Sequence, residues 1–186
     1  MPDKHAKLEE IEGRPALRLE RLLNHPAERV WRALTDPEEQ LAWHPTPAEF
    51  QPAVGGRATW VTETPFPDIM TEGQVTEWDP PRLLAYTWVT EGEEPDHLRW
   101  ELRPHDDGCL LILVHTFEDR LKAARDGAGW HVCLDALAAE LDGLPDPREP
   151  DPDVPGPWSA LNAEYQQRFG ISSEEATPPP SRREKA

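Results

Sequence analysis

Between Ala16 and Phe117 the chain repeats one pattern, short runs of alternating apolar and polar residues separated by clusters of Pro, Gly, Asp and Asn. The first run, Ala16–Leu23, sets Leu17 and Leu19 against Arg18 and Glu20, which is the alternation of a half-buried strand. Five further strand signals follow the turn at Val54-Gly55-Gly56: Arg57–Thr64, Met70–Trp78, Leu83–Thr90, Leu98–Arg103 and Cys109–Phe117. Their separators are Pro65-Phe66-Pro67-Asp68, Asp79-Pro80-Pro81, Glu91-Gly92-Glu93 and Pro104-His105-Asp106-Asp107-Gly108. Connections this short favour antiparallel neighbours, so a meander is expected, with the first strand added at an edge. Two short helices interrupt the strands. Val30, Trp31 and Leu34 recur at helical spacing after Pro26, and Pro37–Trp43 follows with Asp36 as its N-cap and Glu38 and Glu39 in its first turn.

After Phe117 the period changes from two to 3.6. Trp130, Cys133, Leu134, Leu137 and Leu141 fall on one stripe of a helix spanning Leu121–Leu141, with Asp119 placed to cap it. The interruption Gly127-Ala128-Gly129 is unusual there, because each glycine costs an exposed helix interior roughly 1 kcal/mol relative to alanine. It predicts a break in the helix and an opening, hence a pocket between helix and sheet. Gly143 ends the helix, and Pro145, Pro147, Pro150, Pro152, Pro155 and Pro157 keep the following chain extended. Helical spacing returns with Trp158, Leu161, Asn162, Tyr165 and Phe169 before Gly170.

The expected organisation is therefore a mobile arm or partial edge strand over residues 1–15 and an α+β domain over 16–143, with about six antiparallel strands packed on a long helix. A Pro-rich strap over 144–157, an amphipathic helix over 158–170 and a disordered tail over 171–186 complete it. Trp158, Tyr165 and Phe169 are expected to bury against the same domain or a second subunit.

Composition narrows the function classes. A formal charge of -17 leaves no basic stripe for a nucleic-acid backbone and disfavours anionic membranes. The start of the chain has no apolar run of signal-peptide type, and no stretch approaches the length of a membrane span, so a cytoplasmic protein is expected. Cys109 and Cys133 read as buried free thiols. Eight tryptophans, spread over nearly every expected element, suit either a dense core or the wall of a cavity for an apolar ligand.

The faces follow from the two-residue period. Leu98, Trp100 and Leu102 point inward, as do Leu84, Tyr86 and Trp88, while the last strand is apolar on both sides and periodicity leaves its inner face open. Trp78 is the inward neighbour of a solvated Glu77.

At these residues the chain resembles the START and birch-pollen-allergen superfamily known as SRPBCC, and within it the branch of the activator of heat-shock protein 90 ATPase homologue. The similarity runs from about Leu17 to Gly143. It is carried by Glu20-Arg21, by Glu28 through Pro37, by Gly55-Gly56 and by Gly73-Gln74-Val75 with Pro80-Pro81. Leu84 through Trp88, Leu113-Val114-His115 and Gly129-Trp130 complete it. The resemblance implies a helix-grip fold, a curved sheet wrapped around the C-terminal helix with a hydrophobic cavity between them. It favours the odd residues of the last strand as the inner face. Members bind lipids, sterols, polyketides or other apolar molecules, and some catalyse cyclisation or dehydration.

The expected lining comprises Trp60, Tyr86, Trp88, Trp100, Leu113, His115 and Phe117 from the sheet, with Trp130, His131 and Leu134 from the helix opposite. His115 and His131 either converge as general acid and base or serve as hydrogen-bonded wall residues, which is the expectation for a histidine on an apolar face. Tyr86 offers one directional hydrogen bond. No metal or cofactor is expected, since His131 and Cys133 point about 200° apart on a helix. Three functions follow: a soluble module binding an apolar or aromatic small molecule; alternatively a cyclase, dehydratase or hydrolase; and third, by analogy alone, a chaperone-regulating module.

Overall fold

A computed structural model describes residues 3–60, 72–89, 94–148 and 156–177 of the chain. Among them eight strands form one antiparallel sheet in the order β1-β2-β8-β7-β6-β5-β4-β3. These are β1 Lys7–Ile11, β2 Arg14–Leu23, β3 Ala48–Phe50, β4 Arg57–Trp60, β5 Gly73–Asp79, β6 Leu83–Trp88, β7 Asp96–His105 and β8 Gly108–Thr116. The helices are α1 Ala27–Thr35, α2 Pro37–Gln40, α3 Ala123–Asp142 and α4 Pro157–Phe169. The meander is present and β2 joins it beside β8 along Ala16–Leu23, but β1 pairs with the other side of β2 and takes the edge expected for it. The fold is α+β, a curved antiparallel sheet with a long C-terminal helix, as the helix-grip expectation requires. Its strand count is higher than about six because two short strands, β1 and β3, carry too few alternating positions to signal themselves.

The residues expected as a mobile arm include a strand. Glu12 and Gly13 take positive φ values of 53° and 81°, the geometry of a two-residue hairpin turn, and Ile11 pairs with Arg14. On β7 and β8 the inner faces are Leu98, Trp100 and Leu102 and the odd series Cys109 to His115, all buried. A bulge between Val75 and Glu77 shifts the parity of β5, so Trp78 pairs with inward Leu84 while Glu77 sits outside with Arg99. The expected turns at 65–68 and 91–93 lie outside the described residues, as do 149–155 of the strap and 178–186 of the tail.

The break expected in α3 is absent, because Gly127, Ala128 and Gly129 continue one helix of 20 residues. Its first turn is a short 3-10 segment, Arg120–Lys122, capped by the Asp119 carboxylate on the Leu121 amide. Gly127 lies under α4 rather than at an opening. A methyl group there would meet ring carbons of Tyr165 at 3.6 Å, an ordinary contact, and at Gly129 it would meet nothing within 4 Å.

The chain termini close over this side of α3. Tyr165, fully buried, accepts the Ala6 amide at 2.7 Å and shares a hydrogen bond of 2.8 Å with His131 Nδ1. Phe169 stacks on Tyr165, and Trp158 packs partly buried against the same core. Part of the expected disordered tail is also held, since Ile171 is buried and the Thr177 amide donates to the Leu121 carbonyl. The helix expected over 158–170 thus docks on its own chain.

Because both glycines have helical backbone and room for a methyl group, Gly127→Ala and Gly129→Ala are each expected to raise stability, by up to about 1 kcal/mol. Chemical denaturation checks this, and a loss of stability at either position would mean that the helix needs a bend there.

Candidate functional site

The site is assembled by a loop that the alternation pattern does not mark. Gln40, last residue of α2, clamps the start of β3 with its side chain, donating to the Ala48 carbonyl at 2.9 Å and accepting the Ala48 amide at 2.8 Å. Residues 41–47 are thereby folded back over the sheet. Trp43 donates its indole N–H to the Ala33 carbonyl at 2.9 Å, and the His44 ring stacks on Trp130 of α3 at 5.3 Å. Trp60, Tyr86 and Trp100 rise from the sheet opposite. These rings leave a cavity of about 10 Å³, lined also by Leu34, Gln40, Thr46 and Ala48. That is room for about one water molecule.

The roomy cavity expected from the sequence is therefore filled, among the described residues, by aromatic side chains. Trp100 meets Trp130 edge-on at 5.4 Å and Trp43 at 6.0 Å, while Tyr86 lies against Phe50 at 4.9 Å. Such offset and edge-on pairs contribute beyond their buried area. Of the expected lining, Trp60, Tyr86 and Trp100 border the small cavity. Trp88, His115, Phe117 and Trp130 form the adjoining ring cluster, and Leu113 and Leu134 are fully buried core residues.

Two polar groups face the cavity with chemistry to spare. The Tyr86 hydroxyl accepts the Trp100 indole N–H at 3.3 Å, and its own proton meets no acceptor among the described residues. Burial pushes the phenol well above its ordinary pKa, against the smaller effect of the Trp100 bond, so the proton stays on. His44 shares its Nδ1 with the Thr46 carbonyl at 2.8 Å. Burial, offset in part by that bond and reinforced by the charge of Arg148, holds its pKa down at about 4. The pair is thus a protonated phenol and a neutral imidazole. The phenol can donate to an acceptor oxygen on an apolar ligand, whereas the imidazole, its Nδ1 proton given to the Thr46 carbonyl, offers an Nε2 lone pair.

His115 and His131 do not converge. His115 Nδ1 accepts the Trp130 indole N–H at 3.0 Å, which leaves the ring proton on Nε2, 3.1 Å from Asp96 Oδ2. Lys122 Nζ stands 3.8 Å from the same carboxylate oxygen, while Asp96 Oδ1 is buried without a hydrogen-bond partner among the described residues. His131 faces the other side of α3, bound to Tyr165 and 3.5 Å from Asp135. Burial raises the Asp135 pKa, but the His131 hydrogen bond and the charges of Arg21 and Lys4 outweigh it and hold the carboxyl at about 2. Cooperative acid and base chemistry by the two histidines has no common point of attack. His131 is instead a fastener between α3 and α4.

Asp96, His115 and Asp126 bring donor atoms within 4.8 Å of one another, the spacing of a metal site. The tautomer opposes that use. With Nδ1 occupied by Trp130, the Nε2 lone pair is committed to a proton, and Lys122 and Arg125 already neutralise the two carboxylates. Both cysteines are buried, and burial pushes Cys109 up to about 11 and Cys133 up to about 12, so neither is a reactive thiolate.

Residues 24–142 match the model of the family described as activator of Hsp90 ATPase homolog 1-like protein. The chain belongs to this family. It is an SRPBCC protein of the corresponding branch. Among curated proteins no sequence matches it. Solved structures extend the likeness at the level of fold. CalU16 from Micromonospora echinospora aligns with a TM-score of 0.68 at 20% identity, over 90% of this chain and 95% of its own. A conserved protein of unknown function from Enterococcus faecalis, EF2215, gives 0.67 at 17% identity over 90% and 92%. The protein encoded by gene BPP1335 of Bordetella parapertussis gives 0.64 at 29% identity over 91% and 90%. These alignments span more of the chain than residues 24–142, so the likeness extends into its terminal additions.

Sequence reasoning missed Gln40, Trp43, His44 and Thr46 as wall residues and Asp96 as the partner of His115. Gln40 ends a helix of four residues and the next three lie on a loop, so no period exists to assign them a face. A signal was present in the adjacent Trp43-His44, two ring side chains directly after a short helix.

His44 makes stability depend on pH. Its pKa of about 4 in the folded chain lies below the ordinary 6.5, so between these values the unfolded chain binds the extra proton. Its contribution is full above pH 6.5 and is lost as pH falls toward 4, on the order of 3 kcal/mol in total. Denaturation at a series of pH values is expected to show this loss, and His44→Gln to flatten the profile over that window.

Proposed function

We propose that the protein binds a planar aromatic small molecule carrying an acceptor oxygen, between the sheet and α3. The observation that carries this reading is the buried Tyr86 hydroxyl, which accepts from Trp100 and whose own proton meets no acceptor among the described residues, beside a cavity walled by aromatic rings. Buried donors are ordinarily satisfied, so a donor held free in an apolar pocket suits a ligand acceptor or the single water that stands in for it. The stacked position of His44 on Trp130 supports an aromatic occupant, because a flat ring could take that face when the imidazole moves aside. The family kinship supports ligand binding in general terms, and the fold it shares with cyclases is compatible with chemistry at the same place. The chaperone-regulating reading rests on kinship alone and draws on no feature of this site.

The cavity as described is too small for such a ligand, so binding requires side chains to part. Affinity is then reduced by the population of the open state. Titration of tryptophan fluorescence with 2-acetonaphthone is expected to show saturable quenching, and with 2-ethylnaphthalene, which lacks the carbonyl, binding weaker by about five- to tenfold. Tyr86→Phe is expected to abolish that difference while leaving the hydrocarbon unaffected. Equal affinity for both compounds in the unaltered protein would overturn the role of Tyr86, and no saturable binding of either would overturn the aromatic ligand.

A further inference from the structure

The strap that follows α3 makes one contact whose strength is out of proportion to its length. Arg148 donates from Nη1 to the Trp43 carbonyl at 2.7 Å and from Nη2 to the Ala42 carbonyl at 2.6 Å. Asp146 holds the guanidinium in that pose, accepting from Nε at 2.9 Å and from Nη2 at 2.7 Å. Its carboxylate also accepts the Arg148 amide at 2.8 Å, so donor and support form one rigid unit. The two carbonyls belong to the loop that walls the cavity with Trp43, His44 and Thr46.

Beside the backbone hydrogen bonds of residues 41–44 back to α2, three side chains tie that loop down among the described residues. The Gln40 side chain fastens its ends by bonding both backbone groups of Ala48. The Trp43 indole anchors it to α1 through the Ala33 carbonyl. Both of these groups are buried. Arg148 is the third tie, comes from a different part of the chain and is partly exposed, its side chain 25% accessible. On the inner side the ring contacts of the loop among the described residues are His44 on Trp130 and Trp43 against Trp100. Ring contacts separate without leaving a polar group unpaired, and the carbonyls held by Arg148 turn to water when released. An outward swing about the Gln40–Ala48 base breaks the buried hydrogen bond of the Trp43 indole to Ala33, and Arg148 opposes that swing.

We infer that residues 41–47 are the entry lid of the aromatic cavity and that Arg148, braced by Asp146, is the positioning residue that keeps the lid closed. The inference rests on the reading of the cavity as a ligand site, but the closure itself is measurable without any ligand. It also accounts for a filled cavity in a binding protein: the closed lid inserts His44 where an aromatic occupant would stack.

The test uses the full chain with Arg148→Gln, Arg148→Lys and Asp146→Asn. Hydrogen exchange of the loop amides of Leu41, Ala42, Trp43, His44 and Thr46 is followed against amides of β7 and β8 as an internal reference, together with acrylamide quenching of tryptophan and the association rate of 2-acetonaphthone. Arg148→Gln is expected to speed exchange in the loop by about tenfold or more while the reference amides are unmoved, and to raise both quenching and association rate. Arg148→Lys, which keeps the charge but not the two-pronged donor, should restore part of the protection, and Asp146→Asn should give a smaller version of the same effect. Unchanged loop exchange and quenching in Arg148→Gln would overturn the lid whatever binds inside. So would faster exchange spread evenly over loop and sheet, which marks Arg148 as a global stabiliser, or faster loop exchange with an unchanged association rate. Faster loop exchange and quenching without saturable binding in any variant would uphold the lid and count against the proposed ligand alone.

Discussion

Three indoles buried between the sheet and α3 carry an N–H that has to find an acceptor there, and the geometry of the interior follows from how those acceptors are supplied. Trp130 takes His115 Nδ1, Trp100 takes the Tyr86 oxygen and Trp43 takes the Ala33 carbonyl. The first bond fixes the tautomer of His115 and so directs its remaining proton to Asp96. The second leaves the Tyr86 proton without an acceptor among the described residues. A single requirement of buried polar groups thus makes one residue structural and another available for recognition.

The same requirement explains the outer side of α3. Arg21 is buried on β2 and donates to Asp135, to the Lys4 carbonyl and to the His131 carbonyl, so a charge inside the fold is surrounded by acceptors from α3 and from the N-terminal residues. The N-terminal residues and α4 are recruited into that network through Ala6 and Tyr165. Terminal pieces beyond the matched family region are in this way joined to its core. Among the described residues no helix is long and apolar enough to cross a membrane.

A filled interior and a binding role are compatible if the filling belongs to a movable part. His44 occupies the face of Trp130 from a loop, whereas Tyr86, Trp100 and Trp130 stand on regular elements. Sites of this construction keep their recognition groups rigid and let a loop wall adapt. A second depression between Leu8 and Phe169 has a volume of about 380 Å³, but its two arginines are engaged with the Phe169 carbonyl and with Glu164.

The linear pattern of residues by itself determined the elements with long periods: the meander from β4 to β8, the stripe of Trp130, Leu134 and Leu137 on α3, and α4 with Tyr165 and Phe169. Period and turn chemistry are local, so they survive in one dimension. The resemblance to the family settled the inner face of β8, which apolar residues on both sides left open. Only the tertiary structure decided that Gly127 and Gly129 lie in an unbroken helix, since a glycine gives the same signal whether it bends a helix or merely sits beneath Tyr165. It also decided that His115 and His131 belong to separate networks, because residues with equal chemistry on adjoining elements part company according to the direction each side chain takes. His44, Gln40 and Arg148 came from the folded chain alone. Their roles rest on loop backbone and on contacts separated by about a hundred residues, and neither leaves a periodic trace in the sequence.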